Sequence, residues 1–329
     1  MRKVNFSNLK KSKHLAIKNE AYLRLHSVVR QARQGFVTEQ SRLVSNPARE
    51  SASQILRQLD LIVNMVEMPY ALLIVMDGYV SGWQAAFEVA LGKFAKLDHG
   101  ELAKVGSEKR RKAFEESAQE TMRTFFAIDS SHSGALSQPW LFAITVYIWT
   151  AFECLASDLW VKSLNHSPQL AQRVISSISS SDDEQSGISK RHIEVGLAAK
   201  YGFDLRRHLG SALKKKFEFT KYQGILEAYC KAFGPCPELE QFGDELKQLE
   251  QVRHLIVHRG CITDDQFIKL SQLKIRTNSK LRLTLDQVRD YVMTVTLASV
   301  ALLHTVDRWA SPQSGSQDKK RHYDRPPKD

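Results

Sequence analysis

An all-α fold is predicted for this chain from three observations. Apolar residues recur at helical spacing, strong strand signals are scarce, and the periodic runs are bounded by capping and stop residues. At most one short hairpin is expected. With 329 residues, 43% of them hydrophobic, the chain is long enough for one large domain or two ordinary ones, and its core needs no covalent staples.

In chain order, residues 1–19 read as a basic N-terminal arm and residues 20–130 as an N-terminal helical region. Within that region a helix is expected to open at Pro69 in "EMPYALLIVMDGYVSGWQAAFEVALGKFA", because proline suits a first turn, where its missing N–H is not needed. Residues 131–310 form a second helical set that begins around "PWLFAITVYIWTAFECLASDLWVKSL", apolar on nearly every face except at Glu153 and Asp158. Such a helix belongs in the middle of a bundle or at a subunit contact.

The serine-rich, acidic stretch "SSISSSDDEQSG", 176–187, reads as a loop. "GPCPELEQF" marks a break, after which Pro237 and Glu238 suit the start of a helix running to His258, with Gly260 as its stop. "FIKLSQLKIRTNSKLRLTL" mixes short alternation with the turn-like "TNS" and reads as a small hairpin or an extended strap. Thr284 and Gln287, three apart, form a capping box before a last helix that continues from Val288 to about Trp309. The tail 311–329 has little to bury and is expected to be disordered.

Several function classes are excluded by what the chain lacks. There is no GxxxxGK[ST] phosphate loop, no GxGxxG after a strand and no GxSxG elbow, which argues against nucleotide triphosphate hydrolysis. Cys154, Cys230, Cys236 and Cys261 are scattered and match neither a redox CxxC nor a zinc knuckle, so they read as free thiols in a reducing compartment. The opening "MRKVNFSNLKKSKHLAIKNE" is basic and polar where a secretory leader needs an apolar core, and a cytoplasmic location is expected. Two apolar runs, 139–152 and 291–306, fall short of the ~20 residues that span a bilayer and read as core helices, so no membrane partner is expected.

A net charge of +11 and a pI near 9.4 favour a polyanionic partner. Between 266 and 285 stand Lys269, Lys274, Arg276, Lys280 and Arg282 with no acidic residue among them, and smaller basic clusters lie at Arg206/Arg207 and Lys214–Lys216. Directly before the first of these segments comes "LEQVRHLIVHRGCITDD". On a helix ending at His258, Leu249, Val252 and Ile256 form a core stripe. Glu250, His254 and His258 form a separate polar ridge, with Arg253 at the stripe's edge. Arginine remains charged and can fork two donors onto a phosphate, while a histidine in the last helical turn can give or take a proton near neutrality. Together they supply what RNA cleavage by its own 2′-hydroxyl needs, a proton carrier and a fixed cation for the phosphorane.

Arg253-His254-Leu255-Ile256-Val257-His258 with "RGCI" after it resembles the RxxxxH signature of HEPN domains, and the capped helix opened by "LRLTLDQV" is similar to that family's closing helix. The resemblance covers roughly residues 138–309. It implies a HEPN-like antiparallel helical bundle preceded by an additional N-terminal helical region, and a metal-independent endoribonuclease needing no cofactor. Arg253 and His258 would be the catalytic pair, with His254 and Glu153 in support and Glu153 orienting Arg253. Arg259, Lys269, Lys274, Arg276, Lys280 and Arg282 would be candidates to bind RNA. By kinship alone it implies a toxin or antiviral defence role, with a cognate antitoxin or regulatory protein as a further partner. It also implies a homodimer, for which the spacing gives a physical reason. Five helical steps turn Arg253 and His258 ~140° apart and raise them ~7.5 Å, so a two-fold contact could join them into one shared cleft.

Other readings use the same residues. Arg253 could pair with Glu250 or near Glu238 while His258 and Gly260 merely end a helix. Glu250, His254 and His258 could present zinc ligands along one ridge, although no fourth ligand is evident. The domain could also be a non-catalytic HEPN scaffold, or a module that binds RNA or a protein partner.

Overall fold

The computed structural model describes residues 20–95, 116, 134–179, 199, 201–202, 204–205 and 207–310. Among these residues the helices are α1 (Glu20–Arg42), α2 (Asn46–Ala95), α3 (Gly134–His166), α4 (Pro168–Ser179) and α5 (Leu209–Leu213), followed by a single 3₁₀ turn, Lys214–Lys216. Then come α6 (Tyr222–Phe233), α7 (Pro237–Glu240), α8 (Gly243–His258), α9 (Asp265–Ser271) and α10 (Leu285–Ala310). Helix accounts for 81% of these residues and no strand occurs among them, so the protein is all-α. The N-terminal arm and the C-terminal tail lie outside the described residues. Of the serine-rich stretch, residues 176–179 continue α4, held by the buried Ile178, and the rest also lies outside.

Helix α3 is the centre of the bundle. It packs against α2 and α10 along much of its length, and against α4, α5, α6 and α8 elsewhere. Ile144, Trp149, Phe152, Leu159 and Trp160 are fully buried along it, each large side chain contributing about 1.5–3 kcal/mol. Its apolar faces are therefore covered within one chain. By length and composition, Ser137–His166 is the one helix among the described residues that could cross a membrane, longer than the 139–152 run suggested, and 61% of its most apolar window is buried in the bundle. Two polar crosslinks tie α3 to α6. Trp160 Nε1 donates to the Ala228 carbonyl at 2.9 Å, and Tyr229 Oη donates to the Ala156 carbonyl at 2.9 Å.

The helix expected to open at Pro69 instead passes through it. Ala48, Ala52, Ile55, Leu59, Ile62 and Val66 form a buried helical stripe that carries α2 up to the proline. A proline inside a helix leaves the carbonyl four residues back without its donor. Here that carbonyl belongs to Met65, and the Trp140 indole N–H donates to it at 2.8 Å. Tyr22 Oη donates to the next carbonyl, Val66, at 2.9 Å. Beside them the buried Glu67 accepts from Arg30 and pairs with His26 at 3.0 Å, closing α1 onto α2.

The helix expected from Pro237 to His258 is broken. α7 ends at Glu240, and α8 starts at Gly243 after the turn at Gln241 and Phe242. Tyr222 sits at the break, its hydroxyl donating to the Leu239 carbonyl at 3.4 Å and its ring lying against Gly243. Farther on, 267–271 are helical because the Asp264 side chain caps α9 through the Phe267 N–H at 2.7 Å. The remainder, 272–284, is the expected extended strap. It returns on 261–263 through the antiparallel bridge of Ile262 with Lys280, and Asn278 takes the left-handed conformation (φ 56°) at its turn. The capping box before α10 is present. Thr284 N–H donates to Gln287 Oε1 at 2.8 Å and Gln287 N–H donates to Thr284 Oγ1 at 3.1 Å.

Gln138 pins the strap to the start of α3. Its amide donates to the Leu283 carbonyl at 2.9 Å and accepts from the Leu283 N–H at 2.8 Å. Because Leu283 is fully buried, Gln138→Ala strands both backbone groups. The expected loss is about 1–3 kcal/mol, read by urea denaturation.

Candidate functional site

The site is assembled around the end of α8. Leu246, Leu249, Val252 and Leu255 are its buried apolar side chains and Ile256 is partly buried, a broader stripe than expected. His254 and His258 are exposed, Arg253 is half-buried, and the two imidazole rings lie 4.9 Å apart. The chain stops at Gly260, whose φ of 58° suits glycine, and the N–H groups of Arg259 and Cys261 both return to the Leu255 carbonyl. This turn brings α9 back against α8.

The other wall is the segment before α6. Phe217 and Phe219 pack edge-on to the buried Trp160, with ring centroids 5.3 and 5.5 Å away. The Glu218 carbonyl presses on the first turn of α6 at Gly224, where a Cβ would collide with it. From α8, Glu250 Oε2 accepts the Tyr222 N–H at 2.8 Å, satisfying one of the free donors at the α6 N-terminus. Between the walls lies a cleft of about 790 Å³. Arg253, His254, His258 and Arg259 line it, facing Glu218, Thr220 and Lys221 on one side and Asp264, Gln266 and Leu270 on the other.

Most charges in the cleft are already partnered. Lys221 pairs with Glu218 at 3.0 Å and Arg259 with Asp264 at 3.4 Å. Arg253 differs: it makes no hydrogen bond or ion pair with a described residue, and its Nε is buried without a partner. Neither pairing suggested for it occurs, because Glu250 holds Tyr222 and Glu238 pairs with Arg308 at 2.7 Å. Burial raises the carboxyl of Glu250, and the Tyr222 N–H, Lys221 and Arg253 pull it back. Burial likewise raises Glu153 on α3, opposed first by Arg253 and then by Lys214. Glu153 thus lies within the field of Arg253 without bonding to it. His254 is lowered, by burial first and then by its neighbours His258, Arg259 and Arg253.

The sequence-derived candidates divide. Arg253, His254, His258 and Arg259 share the cleft, whereas Lys269, Lys274, Arg276, Lys280 and Arg282 do not line it. Arg253 and His258 line it together from a single chain, despite their divergence on an ideal helix. Thr220, Lys221 and Gln266 are additions that nothing in their local sequence marks, since tertiary packing brings them to the end of α8, while Gln251 comes from α8 itself. Among the described residues no group of three or more His, Cys, Asp and Glu side chains is placed to hold a metal ion, and Glu250 is turned away to its capping role. All four cysteines are free thiols. No protein-family model, curated protein or solved structure matches this chain.

Two measurements test this arrangement. Glu250→Ala removes the α6 cap and should cost about 1 kcal/mol, while Glu250→Gln keeps an acceptor and most of that stability, compared by thermal denaturation. The His254 imidazole should titrate below the ordinary 6.5 in an NMR series, and His258→Ala should move its midpoint up by removing one of the neighbours that lower it. Because the folded value is the lower one, the His254 contribution to stability is complete above 6.5 and is lost as pH falls through the folded value.

Proposed function

We propose that this protein is a HEPN-type endoribonuclease that cleaves RNA without a metal ion. The observation that carries the reading is the opening of Arg253, His254 and His258 into one cleft, where Lys221 and Arg259 are ion-paired while Arg253 has no ion pair among the described residues. An arginine free of internal carboxylates is available to a phosphate.

The RNA 2′-oxygen attacks the adjacent phosphorus, forming the 2′-O–P bond as the P–O5′ bond breaks. The proton leaves the 2′-hydroxyl for an imidazole, and His258 protonates the departing 5′-oxygen. His254, whose charged form is disfavoured, supports His258 as the neutral acceptor. Arg253 stabilises the charge that builds on the phosphorane, with Glu153 shaping its field. The products are a 2′,3′-cyclic phosphate and a 5′-hydroxyl.

In this reading the active species is a homodimer. The exposed apolar side chains of Val257 and Ile262 flank the helix end and provide a surface for a second copy. Arg253 and His258 line the cleft of one chain together, so in this reading the second copy adds surface rather than completing the pair. Sedimentation of a fully active monomer would remove the dimer from the reading. The second reading, a non-catalytic HEPN scaffold or binding module, is favoured as a scaffold by the internal pairing of Lys221 and Arg259, which commits part of the cleft's charge to structure.

Purified protein incubated with RNA in excess EDTA should yield cyclic-phosphate ends. Arg253→Ala and His258→Ala should each slow cleavage about 100-fold or more with helix content unchanged. Strict metal dependence or 5′-phosphate products would overturn the mechanism, and binding without cleavage would favour the non-catalytic module.

A further inference from the structure

We propose that single-stranded RNA reaches the cleft across the lysine turn Lys214–Lys216, which binds backbone phosphates flanking the cut, and that the basic strap after α9 does not. The inference rests on the ribonuclease reading of the cleft and adds where the substrate's length is bound.

The turn is held rigidly beside the site. Leu213 and Ala212 are buried, and the Gly210 N–H donates to Asn165 Oδ1 at 2.8 Å, fastening α5 to α3. Immediately after the turn, Phe217 and Phe219 anchor on Trp160, and the chain then becomes the cleft wall at Glu218, Thr220 and Lys221. Lys221 is five chain steps beyond Lys216, so the turn lies at most about 18 Å along the chain from that wall residue. The Lys214 ammonium acts on Glu153, the same carboxyl on which Arg253 acts, which places the lysine turn and the catalytic arginine around one point of α3.

Charge availability points the same way. Lys214, Lys215 and Lys216 are exposed, and neither Lys214 nor Lys215 is ion-paired with a described residue. The basic side chains of the strap are exposed as well, and neither they nor the lysines of the turn line the cleft; what sets the turn apart is its chain adjacency to the wall at Glu218 and its approach to Glu153 beside Arg253. Exposed ammonium groups such as those of Lys214 and Lys215, a few residues along the chain from a cleft wall, suit the backbone of a polynucleotide. Each phosphate so neutralised releases counterions and steepens the salt dependence of binding.

The test is fluorescence anisotropy with a labelled single-stranded RNA of twelve or so nucleotides, in the His258→Ala background so that binding is read without cleavage. Adding Lys214→Glu and Lys215→Glu should weaken binding about 10-fold at ~0.1 M salt. It should also flatten the slope of log K against log salt by about 1.4, or 0.7 for each phosphate no longer neutralised. Lys214→Ala with Lys215→Ala, a gentler change at two exposed positions, should give an intermediate loss with unchanged circular dichroism. Lys274→Glu with Arg276→Glu should alter affinity less than about twofold. Wild-type cleavage of RNA alongside unchanged affinity and slope in the turn variants would overturn the path while sparing the ribonuclease reading. A larger loss from the strap pair would overturn it too, and absence of both binding and cleavage would overturn path and ribonuclease together.

Discussion

Burial of α3 on nearly all its faces is the constraint on which the rest of the structure depends. A helix apolar all round cannot remain stable beside water, so neighbours must be recruited around its circumference. α2 and α10 cover much of its length, and α4, α5, α6 and α8 close the remainder. Covering α3 also fixes the polar groups that must come along. Trp160 is buried completely but can bury its indole N–H only because Ala228 supplies a carbonyl, and that bond fixes α6. The phenylalanines that pack on the same indole set the loop before α6. The cleft is therefore a by-product of covering one tryptophan, with its far wall placed by core packing.

That origin explains the mixed character of the cleft. Residues from three separate segments meet there, and most satisfy each other: Glu250 completes α6, Asp264 starts α9 and steadies Arg259, and Glu218 holds Lys221. A buried or half-buried cation without a partner is costly in a folded chain, and such groups concentrate where a ligand supplies the missing charge. Arg253 stands out by this measure, with Nε buried and the nearest carboxylates either engaged elsewhere or, for Glu153, within its field but not bonded to it.

The all-α character, the capped last helix, the glycine stop and the outward ridge of His254 and His258 are legible in the sequence because each rests on neighbours within a turn or two of helix. Thr284 and Gln287 bond each other across three residues, and the left-handed φ of Gly260 is a local demand. The role of Pro69 is illegible for the converse reason. Its place inside α2 is tolerated by Trp140, 75 residues from the carbonyl it serves, and no local pattern announces that donor. The break between α7 and α8 likewise belongs to Tyr222 on another helix. The strap's lysines and arginines stand next to the motif in the chain, yet they do not line the cleft, and one of its walls comes from residues about thirty positions before the motif.

The start of α2 is held from the far end of the chain. The N–H groups of Val44 and Ser45 donate to Asp307 Oδ1 at 2.9 and 2.6 Å, across 263 and 262 residues of sequence. Those donors have no place in the fold until the last turns of α10 exist. During synthesis the α1–α2 pair must therefore wait, with its apolar stripe incompletely covered, while more than two hundred residues follow it from the ribosome. Closure of so long a loop makes the docking of α10 a late step in folding, because the contacts it completes are the most distant in sequence.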